Sequence, residues 1–538
     1  MGTSGDHDSA GFVVLGSGPA GMAAAHALCG AGHRVTVLDA GDRIEPGRMD
    51  VFERLAGLEP ERWPGELVEL ARDSFPVDVR RVPLKPAYGS LFPYAREDPD
   101  LAIEAENVET LPSLACGGLS NSWGASILPF RERDIADWPI SLEELRPHYE
   151  AVLGFVPVAG EHDELAGVLP LYTGAPRALR RTRQMEVVLG HLRRNAVGLS
   201  EAGFNFGASR LAVNASVGDG GGCRHCGLCL YGCPYGAIYN ARHTLERLVS
   251  DGSVDYRSGI YVDRLAEDER SVTIDFHHRR RPTDRGRLTA AGVFVACGAI
   301  SSTRLMLDST GWPRRTRRLV DSQYFISPML TVRRAPVSAA EQGNTLAQLF
   351  LELDDPRISS NTIHMQLYGY NDLMLAALAR HVALSPRRLE RLLQPALGRM
   401  VIVQGYLHSA ESPGLELGRG GRGDDRVRLV GEHDPTDGGR VRGLLRRLAA
   451  NGRRLGMVPL PGLAQVGRPG KGNHVGGSLS MRSAPGELET DTLGRLPGWR
   501  RVSVVDAAIL PSVPATTVTL SVMANAHRIA TRVAREEP

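Results

Sequence analysis

Four cysteines that lie within eleven residues are the first feature of this chain that could do chemistry. Cys223, Cys226, Cys229 and Cys233 are separated by two, two and three residues, and Pro234 follows the last of them. Thiolates at these intervals, with a proline after the fourth, have the ligand spacing of bacterial iron–sulfur proteins. The run predicts a 4Fe–4S cluster held by all four cysteines or a 3Fe–4S cluster held by three. A zinc site and a set of structural cysteines, reduced or disulfide-linked, remain open.

A glycine-rich turn is the second candidate. Residues 16–21 read G-S-G-P-A-G, between an apolar run at 12–15 that predicts a buried strand and an alanine-rich segment at 22–29 that predicts a helix. Such glycines permit a tight turn and let the backbone approach a pyrophosphate. The next predicted strand, 35–39, ends in an acid that would accept hydrogen bonds from ribose hydroxyls. The turn predicts a dinucleotide site that suits FAD and NAD alike. Its predicted contact residues are Gly16, Gly18, Pro19, Ala20, Gly21 and Asp39.

Strands and helices that could position these sites alternate along the chain, which predicts the α/β class, α+β overall. A strand at 292–296 that runs through a turn into a helix ending at 307 suggests a second pass over the same ligand. Residues 325–410 combine alternating β-like stretches with a leucine-rich helical segment at 373–397. Glycine and charge dominate 411–440, which we predict to be a surface loop. Further predicted strands are 259–262 and 271–276, and further predicted helices are 141–153 and 241–249.

Charge and hydropathy exclude several classes of protein. The formal net charge is only +2, which implies no polyanionic partner. Arginine-rich segments at 277–281 and 314–318 lack interleaved aromatic residues, so we interpret them as solvated surface rather than nucleic-acid patches. The start of the chain is acidic and polar, unlike a signal peptide, and no apolar stretch reaches the roughly 18 residues that a membrane span needs. We expect a soluble, cytoplasmic protein with no membrane span and no nucleic-acid partner.

Several further motifs resemble, in the right order, the glucose–methanol–choline (GMC) oxidoreductase family over nearly the whole chain. Residues 117–124, G-G-L-S-N-S-W-G, resemble the loop that lies against the flavin ring, and 298–302, G-A-I-S-S, a second segment of the family pattern. Residues 473–478, N-H-V-G-G-S, resemble the segment of the active-site histidine. Residues 502–511, which begin V-S-V-V-D-A and end in a proline, resemble the C-terminal stretch of the family pattern. Residues 514–530 resemble the final helix that covers FAD.

The resemblance implies FAD as the cofactor. Some family members attach FAD covalently to a histidine near the glycine-rich loop, but no histidine lies between residues 113 and 130, so we expect non-covalent FAD. The chain resembles the GMC subgroup with a ferredoxin-like cysteine run. Some GMC dehydrogenases resemble the case in which three cysteines hold a 3Fe–4S cluster, whereas other members carry a similar run without an established cluster. Beyond the glycine turn, the implied FAD contacts are Gly117, Gly118, Ser120, Asn121, Trp123, Gly124, Val262, Gly298, Asp506, Ala507 and Thr516.

The catalytic residues that the resemblance implies are His474 and Asn473. An imidazole suits the task of taking the hydroxyl proton while a hydride leaves the carbon. The family normally supplies a second histidine or asparagine before the proline matched by Pro514, where this chain has Val513. Valine can neither donate nor accept a hydrogen bond, so Asn473 is the candidate replacement. Another group could hold the hydroxyl instead.

The implied architecture is a Rossmann-like FAD-binding domain with a discontinuous substrate domain built on a β-sheet plus helices. The cysteines fall in the segment expected to cap the substrate. The expected order is a flexible 1–10, a first FAD-binding segment at 11–155 with an insertion at 45–110, a substrate or cap segment at 156–240, a second FAD-binding segment at 241–325, the substrate domain at 326–465 and a C-terminal FAD and active-site segment at 466–538.

The leading hypothesis is an FAD-dependent alcohol dehydrogenase or oxidase. Its substrate would be a sugar, an aminoglycoside or another polyhydroxylated small molecule, as the family's habits imply. Electrons would leave through the iron–sulfur cluster to an external acceptor. The alternative is a flavin and iron–sulfur electron-transfer module that acts with a redox partner protein, and a non-catalytic flavoprotein is the third hypothesis.

Overall fold

The computed structural model describes residues 9–72, 87–95, 98–174, 176–216, 221–311, 316–335, 343–369, 398–419, 426–436 and 438–536. The leucine-rich helical segment at 373–397 and residues 1–8 of the N-terminal segment lie outside these ranges.

The described helices are α1 (Pro19–Gly30), α2 (Pro46–Ala56), α3 (Gly65–Arg72), α4 (Leu142–Phe155), α5 (Arg183–Arg194), α6 (Ala196–Glu201), α7 (Ala241–Ser250), α8 (Ala299–Ser309), α9 (Gly439–Ala450), α10 (Gly452–Leu455) and α11 (Thr519–Glu536).

Strands from distant regions of the chain form three sheets. The described strands are β1 (Ser9–Leu15), β2 (Val35–Asp39), β3 (Ile103–Glu106), β4 (Phe204–Ala208), β5 (Val254–Ser258), β6 (Ile260–Glu267), β7 (Val272–His278), β8 (Arg281–Val295), β9 (Arg317–Asp321), β10 (Tyr324–Thr331), β11 (Leu349–Leu353), β12 (Ile363–Tyr368), β13 (Met400–Tyr406), β14 (Leu415–Arg419), β15 (Val427–Gly431), β16 (Met457–Pro459), β17 (Gln465–Val466), β18 (Val475–Gly476) and β19 (Val502–Val504).

The first sheet has the order β5-β2-β1-β8-β7-β6, and β19 also pairs with β8. Strands β5, β2, β1, β8 and β19 pair in parallel with one another, whereas β6, β7 and β8 are antiparallel. Residues 12–15, 35–39, 292–295 and 502–504 of the parallel part are buried, as expected for a sheet covered on both faces. Helix α1 packs against the C-terminal helix α11, which also contacts α4. This sheet is the Rossmann-like α/β layer, and it confirms the predicted fold class.

The second sheet, β16-β10-β13-β12-β11-β4, is antiparallel and has two buried faces. One face, with apolar side chains such as Leu351, Met365 and Val403, packs against α5 and α9 in a separate core. The opposite face carries Phe350 and Tyr368 into the core that surrounds the first sheet. Polar side chains on that second face therefore lie between the two layers.

A third sheet, β18-β9-β14-β15-β3, corrects the surface loop predicted at 411–440. Strands β14 and β15 pair along five residues, from Leu415 with Gly431 to Arg419 with Val427. Leu415, Leu417 and Leu429 are fully buried. The composition hid this hairpin because only alternate residues face the core, so the glycine and charge between them dominate the sequence.

The interpretation of the arginine-rich segment at 277–281 as solvated surface is wrong for two of its residues. His277 lies 3.1 Å from Asp100 and 2.9 Å from Asp263, and its side chain is buried. Arg279 is buried between Asp98, 3.0 Å away, and Asp42, 2.9 Å away. Carboxylates from distant regions of the chain pair with these charges, which is the condition for burying them.

Local sequence signals are confirmed elsewhere. The predicted helix at 141–153 begins as expected at Ser141, whose hydroxyl accepts from Glu144 N while the Glu144 side chain accepts from Ser141 N. The strand and helix predicted at 292–307 are the end of β8 and α8. Along the described residues, no helix combines the length and apolar character needed to cross a bilayer.

Candidate active site

The glycine turn lies between β1 and α1. Gly18 precedes the first helical residue, and no side chain caps this helix N-terminus. No atom lies within 4 Å of a Cβ built on Gly18, so the space in front of the free helical N–H groups is open. A Cβ on Gly21, by contrast, would lie 2.0 Å from the carbonyl oxygen of Gly16. The turn fits a pyrophosphate, which such N–H groups bind, and Pro19 and Ala20 form the first helical turn beside it.

Asp39 ends β2 next to this turn, and its carboxylate is buried. Its Oδ2 accepts hydrogen bonds from Ser17 Oγ and, at 3.0 Å, from Tyr256 OH. Ser17 Oγ in turn accepts from Gly117 N at 2.9 Å. Burial raises the pKa of Asp39 to about 6, although both hydroxyl donors oppose the rise. Through Ser17, the acid therefore joins the glycine turn to the glycine-rich loop.

The glycine-rich loop at 117–124 packs directly on the glycine turn. Gly117 has a φ of +86°, and a Cβ there would lie 2.3 Å from Asn240 Oδ1. A Cβ on Gly118 would lie 3.3 Å from the Cα of Gly18. Only bare backbone fits in this contact, so the loop can approach a ligand held at the turn.

The polar side chains of this loop bond to protein rather than pointing away from it. Ser120 Oγ accepts from Ala241 N at 3.0 Å, and Asn121 Oδ1 accepts from Asn240 Nδ2 at 2.8 Å. Trp123 Nε1 donates to the carbonyl oxygen of Tyr239 at 2.9 Å. These bonds tie the loop to the start of α7, so we interpret Ser120, Asn121 and Trp123 as residues that shape the loop.

Asp506 is buried at the N-terminus of α8 and holds three donors. Its Oδ2 accepts from Gly298 N at 2.8 Å and from Ser302 Oγ at 2.5 Å, and its Oδ1 accepts from Ala508 N at 2.9 Å. The carboxylate therefore positions the turn before α8, and both of its oxygens accept from protein donors. Val262, on β6, is half-buried and accepts from Arg304 through its carbonyl oxygen at 3.4 Å.

Three buried hydroxyls near these segments have no hydrogen-bond partner among the described residues. They are Oγ1 of Thr516, Oγ1 of Thr517 and Oγ of Ser301. Buried polar atoms are nearly always hydrogen-bonded, so a polar ligand would satisfy them. Together with the open space at Gly18, these hydroxyls fit a bound dinucleotide that extends from the glycine turn to the start of α11.

His474 lies on a turn before β18 and follows Asn473, which has a φ of +54°. The ring of His474 is half-buried and stacks on Tyr406, with centroids 4.5 Å apart and planes inclined by 25°. Its Nδ1 is buried and has no partner in the described part of the chain. Burial first, and then the nearby charge of His364, lower the pKa of His474 to about 3. The imidazole is therefore neutral and able to accept a proton once negative charge develops beside it.

The side-chain oxygen of Asn473 already has a hydrogen-bond partner. Its Oδ1 accepts from Thr110 Oγ1 at 3.4 Å, a long hydrogen bond to a distant loop. Val513, where the family pattern has a second polar residue, is fully buried and bonds only through its backbone, with its N–H donating to Ser409 Oγ at 2.8 Å. The structure thus gives Val513 a packing role and leaves Asn473 beside His474 on the same turn.

Contacts between layers join the histidine segment to the nucleotide site. Thr303 Oγ1 on α8 lies 2.5 Å from Ser478 Oγ, and Gly477 N donates to the carbonyl oxygen of Ala507 at 3.0 Å. On the second sheet, the hydroxyl of Tyr368 lies 3.6 Å from the position of a Cβ on Gly124. Because His474 stacks on Tyr406 of the second sheet, His474 and the glycine-rich loop both contact the inner face of that sheet, and the histidine segment also contacts α8.

The second sheet contributes polar residues that sequence reasoning missed. His364 Nδ1 lies 2.6 Å from Glu352 Oε1, and both side chains are fully buried. Tyr368 OH donates to Gln366 Oε1 at 2.9 Å. The segment I-H-M-Q-L-Y at 363–368 could have indicated these residues. Polar and apolar residues alternate there, although both faces of the strand are buried.

The four clustered cysteines line one recess, together with apolar residues such as Leu179 and Val213. None of them forms a disulfide. Burial, and then the neighbouring Cys229, raise the pKa of Cys223 to about 12. Nevertheless, no group of three or more His, Cys, Asp or Glu side chains within the described ranges is arranged to hold a metal ion. The predicted iron–sulfur cluster is therefore not confirmed.

Comparisons with known proteins agree with this geometry. Residues 175–321 match the family model described as GMC oxidoreductase, and residues 14–50 match an NAD(P)-binding Rossmann-like domain. A 2-methyl-1,2-propanediol dehydrogenase from Mycolicibacterium austroafricanum is 26% identical over 323 residues, which are 56% of this chain and 51% of that protein. The chain thus matches about half the length of this curated relative. An L-amino-acid oxidase from Bungarus fasciatus is 49% identical over 51 residues, 10% of this chain and 9% of that protein.

Two solved structures share the fold over their whole length. A pyridoxine 4-oxidase from Mesorbium loti has a TM-score of 0.58 and 15% identity, covering 98% of this chain and 99% of that one. A formate oxidase from Aspergillus oryzae RIB40, studied as the R554A mutant for FAD modification, has a TM-score of 0.63 and 12% identity, covering 100% and 99%. At these identities the likeness shows the fold, and none of the matches bears on the ferredoxin-like cysteine subgroup.

Proposed function

We propose that this chain is a GMC oxidoreductase with a Rossmann-like dinucleotide-binding domain, and that it is an FAD-dependent enzyme that oxidises an alcohol carbon to a carbonyl. The observation that carries the proposal is the position of His474. Its ring is half-buried, its Nδ1 is buried and unpartnered within the residues that the structure describes, and it contacts the same face of the second sheet as the glycine-rich loop. A neutral imidazole at that place can take the proton of a substrate hydroxyl.

Non-covalent FAD would be held at the glycine turn and Asp39, by the backbone of the loop at 117–124, and by Thr516 near α11. When bound there, FAD supplies the acceptor for the hydride that leaves the alcohol carbon. The chain's own contribution is to orient the substrate hydroxyl towards His474 and to exclude water with Tyr324 and Tyr406, which are buried beside it. Asn473 is the proposed second polar group at the reacting hydroxyl.

The proposed substrate is a small alcohol. Its support is the relative from Mycolicibacterium austroafricanum, which by its name acts on a diol, and the family resemblance. Within that class, we propose a sugar, an aminoglycoside or another polyhydroxylated molecule. An external acceptor would then reoxidise the enzyme.

The test is anaerobic flavin reduction by a panel of alcohols without any partner protein. The panel contains 2-methyl-1,2-propanediol, glucose, glycerol and an aminoglycoside, and the absorbance of oxidised flavin is followed in a stopped-flow instrument. We expect at least one alcohol to bleach the flavin of the wild type and to do so far more slowly with His474→Ala. FAD-loaded protein that no alcohol reduces, but that a reduced redox protein does, would overturn the proposal in favour of an electron-transfer module.

The recess lined by four cysteines favours a second, separate proposal. Thiolates are soft ligands that select iron–sulfur clusters and zinc, and four free thiols that border one recess fit such a group by their donor chemistry. We propose that Cys223, Cys226, Cys229 and Cys233 bind a 4Fe–4S or 3Fe–4S cluster. Iron and acid-labile sulfide analysis of anaerobically purified protein, with zinc measured in the same sample, tests this.

A further inference from the structure

A row of side chains crosses the second sheet in direct cross-strand register and passes beside His474. Glu352 on β11 is paired with His364 on β12, and His364 is paired with Tyr406 on β13. Tyr406 is paired on its other side with Tyr324 on β10. Directly paired residues on neighbouring strands project from the same face of a sheet. These four side chains therefore form one row, which we call the Glu352–Tyr324 rung.

The contacts along the rung are continuous. Glu352 Oε1 lies 2.6 Å from His364 Nδ1, which fixes the imidazole of His364 in its plane. The rings of His364 and Tyr406 are nearly parallel, inclined by 19° with centroids 6.3 Å apart. Tyr324 meets Tyr406 edge-on, with centroids 5.5 Å apart. Tyr406 is therefore held from both sides by its neighbours in the sheet.

His474 is not part of this sheet, yet its ring lies on the rung. It stacks on the face of Tyr406 with centroids 4.5 Å apart, the shortest ring separation among these contacts. The turn that carries it is fixed separately, since Gly470 N donates to the buried Asp321 at 2.8 Å. With Nδ1 lacking a hydrogen-bond partner in the described residues, the ring plane of His474 is set by stacking rather than by a hydrogen bond.

We propose that Tyr406 is the positioning residue of His474, and that the Glu352–His364 pair anchors Tyr406 for this purpose. In most sites that use a histidine, a carboxylate or carbonyl bonded to the second ring nitrogen sets the orientation. In this protein the face of the Tyr406 ring performs that task, and the carboxylate of Glu352 acts on Tyr406 through His364. The inference rests on the proposed function, in which His474 is the base.

The stack also keeps water away from the imidazole, which gives the proposal a measurable signature. Burial is the main cause that lowers the pKa of His474, so removing the covering ring should raise that pKa towards its ordinary value. The charged and titratable groups around the stack all remain in the variants below, apart from the one replaced. Among the described residues they are Asp321, Tyr324, Glu352, His364, Tyr368 and Lys471.

The experiment measures the titration of His474 directly, without any substrate. Wild-type holoenzyme labelled with ¹⁵N in its histidine rings is followed by long-range ¹H–¹⁵N correlation between pH 5 and 8. The signal of His474, one of 16 histidines, is assigned by its absence from His474→Ala. We expect the ring to stay neutral in the wild type. In Tyr406→Leu we expect an upward pKa shift that brings its titration into this range, and in Tyr406→Phe, which keeps the stacking face, the wild-type behaviour.

Two further variants complete the design. Glu352→Gln weakens the contact that holds His364 at the far end of the rung. We expect a smaller upward shift of the His474 pKa than in Tyr406→Leu. If Tyr406→Leu does not fold, Tyr406→Met, which also removes the ring face, decides. Tyr172→Leu is the matched control because it removes another tyrosine from a stack, 5.3 Å from Tyr149, in a different core. An unchanged titration in Tyr406→Leu and Glu352→Gln, or an equal shift in Tyr406→Phe, overturns the proposal.

Failure of the proposed function would look different. If His474→Ala reduces its flavin as fast as the wild type, His474 is not the base, whatever its titration shows. If His474→Ala is slow but Tyr406→Leu matches the wild type in both titration and flavin reduction, only the positioning role is lost.

Discussion

Asp506 accepts a hydrogen bond from the backbone N–H of Gly298 at 2.8 Å, although 208 positions separate the two residues in the chain. This bond joins the C-terminal segment to the N-terminus of α8, where the candidate cofactor site and the histidine segment meet. Ser302 Oγ donates to the same carboxylate oxygen. One buried acid thus holds together segments that arrive from distant regions of the sequence.

Replacing Asp506 with alanine should therefore destabilise the protein and weaken FAD binding together. The change leaves the buried N–H of Ala508 and the buried hydroxyl of Ser302 without their acceptor, which costs about 1–3 kcal/mol for each unsatisfied group. Thermal unfolding and the FAD to protein ratio are the measurements. Asp284→Ala, which removes an exposed acid paired with Arg281, is the control. Normal FAD content in a stable Asp506→Ala protein would contradict this prediction.

Side chains added at two positions of the glycine turn should have different effects, one on FAD binding and the other on folding. Gly18→Val should give folded but flavin-free protein, because its side chain enters open space that the pyrophosphate needs. Gly21→Ala should damage folding itself, since its Cβ would lie 2.0 Å from the carbonyl oxygen of Gly16. Gly30→Ala, at the end of α1 with no atom within 4 Å of the new Cβ, is the control. Stoichiometric FAD in Gly18→Val would refute the site.

Removal of the base should slow chemistry without loss of the cofactor. We expect His474→Ala to bind FAD and to reduce it roughly 10²–10⁴-fold more slowly with the best alcohol of the panel, the usual size of general acid–base catalysis. The measurement is the single-turnover rate of flavin bleaching. His433→Ala, at an exposed position, is the control. An unchanged rate would remove His474 from the proposed role.

Acid should weaken the contact between α4 and α11. His148 Nδ1 lies 2.9 Å from His527 Nδ1, a bond that requires one ring to be an acceptor. Burial is the largest cause lowering the pKa of each ring to about 4, followed by Arg528 for His148 and by His148 for His527. Because the unfolded rings take up protons near pH 6.5, the free energy of unfolding should fall as the pH drops from 6.5 to 4.

A variant isolates this effect from other titrating groups. The buried acids Asp39 and Asp321, whose pKa values burial raises to about 6 and about 7, change stability in the opposite direction over part of this range. His148→Gln keeps a donor and an acceptor but does not titrate. We expect the loss in melting temperature between pH 6.5 and 4 to be smaller in His148→Gln than in the wild type. Equal losses would show that the histidine pair does not titrate in this way.

If the four clustered cysteines bind an iron–sulfur cluster, replacing one of them should remove the iron and leave the FAD in place. Cys226→Ser should abolish iron binding, because a hydroxyl is a poor replacement for a soft thiolate. FAD content and flavin reduction by alcohol should remain, while turnover with a one-electron dye should fall. Cys29→Ser, a cysteine outside the run, is the control. If wild-type protein made with ample iron and without oxygen contains none, the cluster proposal fails.

The sequence alone determined the features whose cause is local. The G-x-G-x-x-G turn is readable because one glycine needs open space and another touches a backbone oxygen a few residues away. The start of α4 is readable because Ser141 and Glu144 cap it over three residues. The strand, turn and helix around Gly298 follow from the same short-range periodicity.

Tertiary structure decided everything that depends on which distant residues meet. The alternation at 363–368 predicts a strand, but only its register brings His364 opposite Glu352 and Tyr406. The sequence alone suggests that Arg279 is a surface charge. Only the fold shows that Asp42 and Asp98 pair with it. A sequence specifies the partners of a local turn by their spacing, whereas the partners across a sheet or between layers are fixed only when the whole chain has packed.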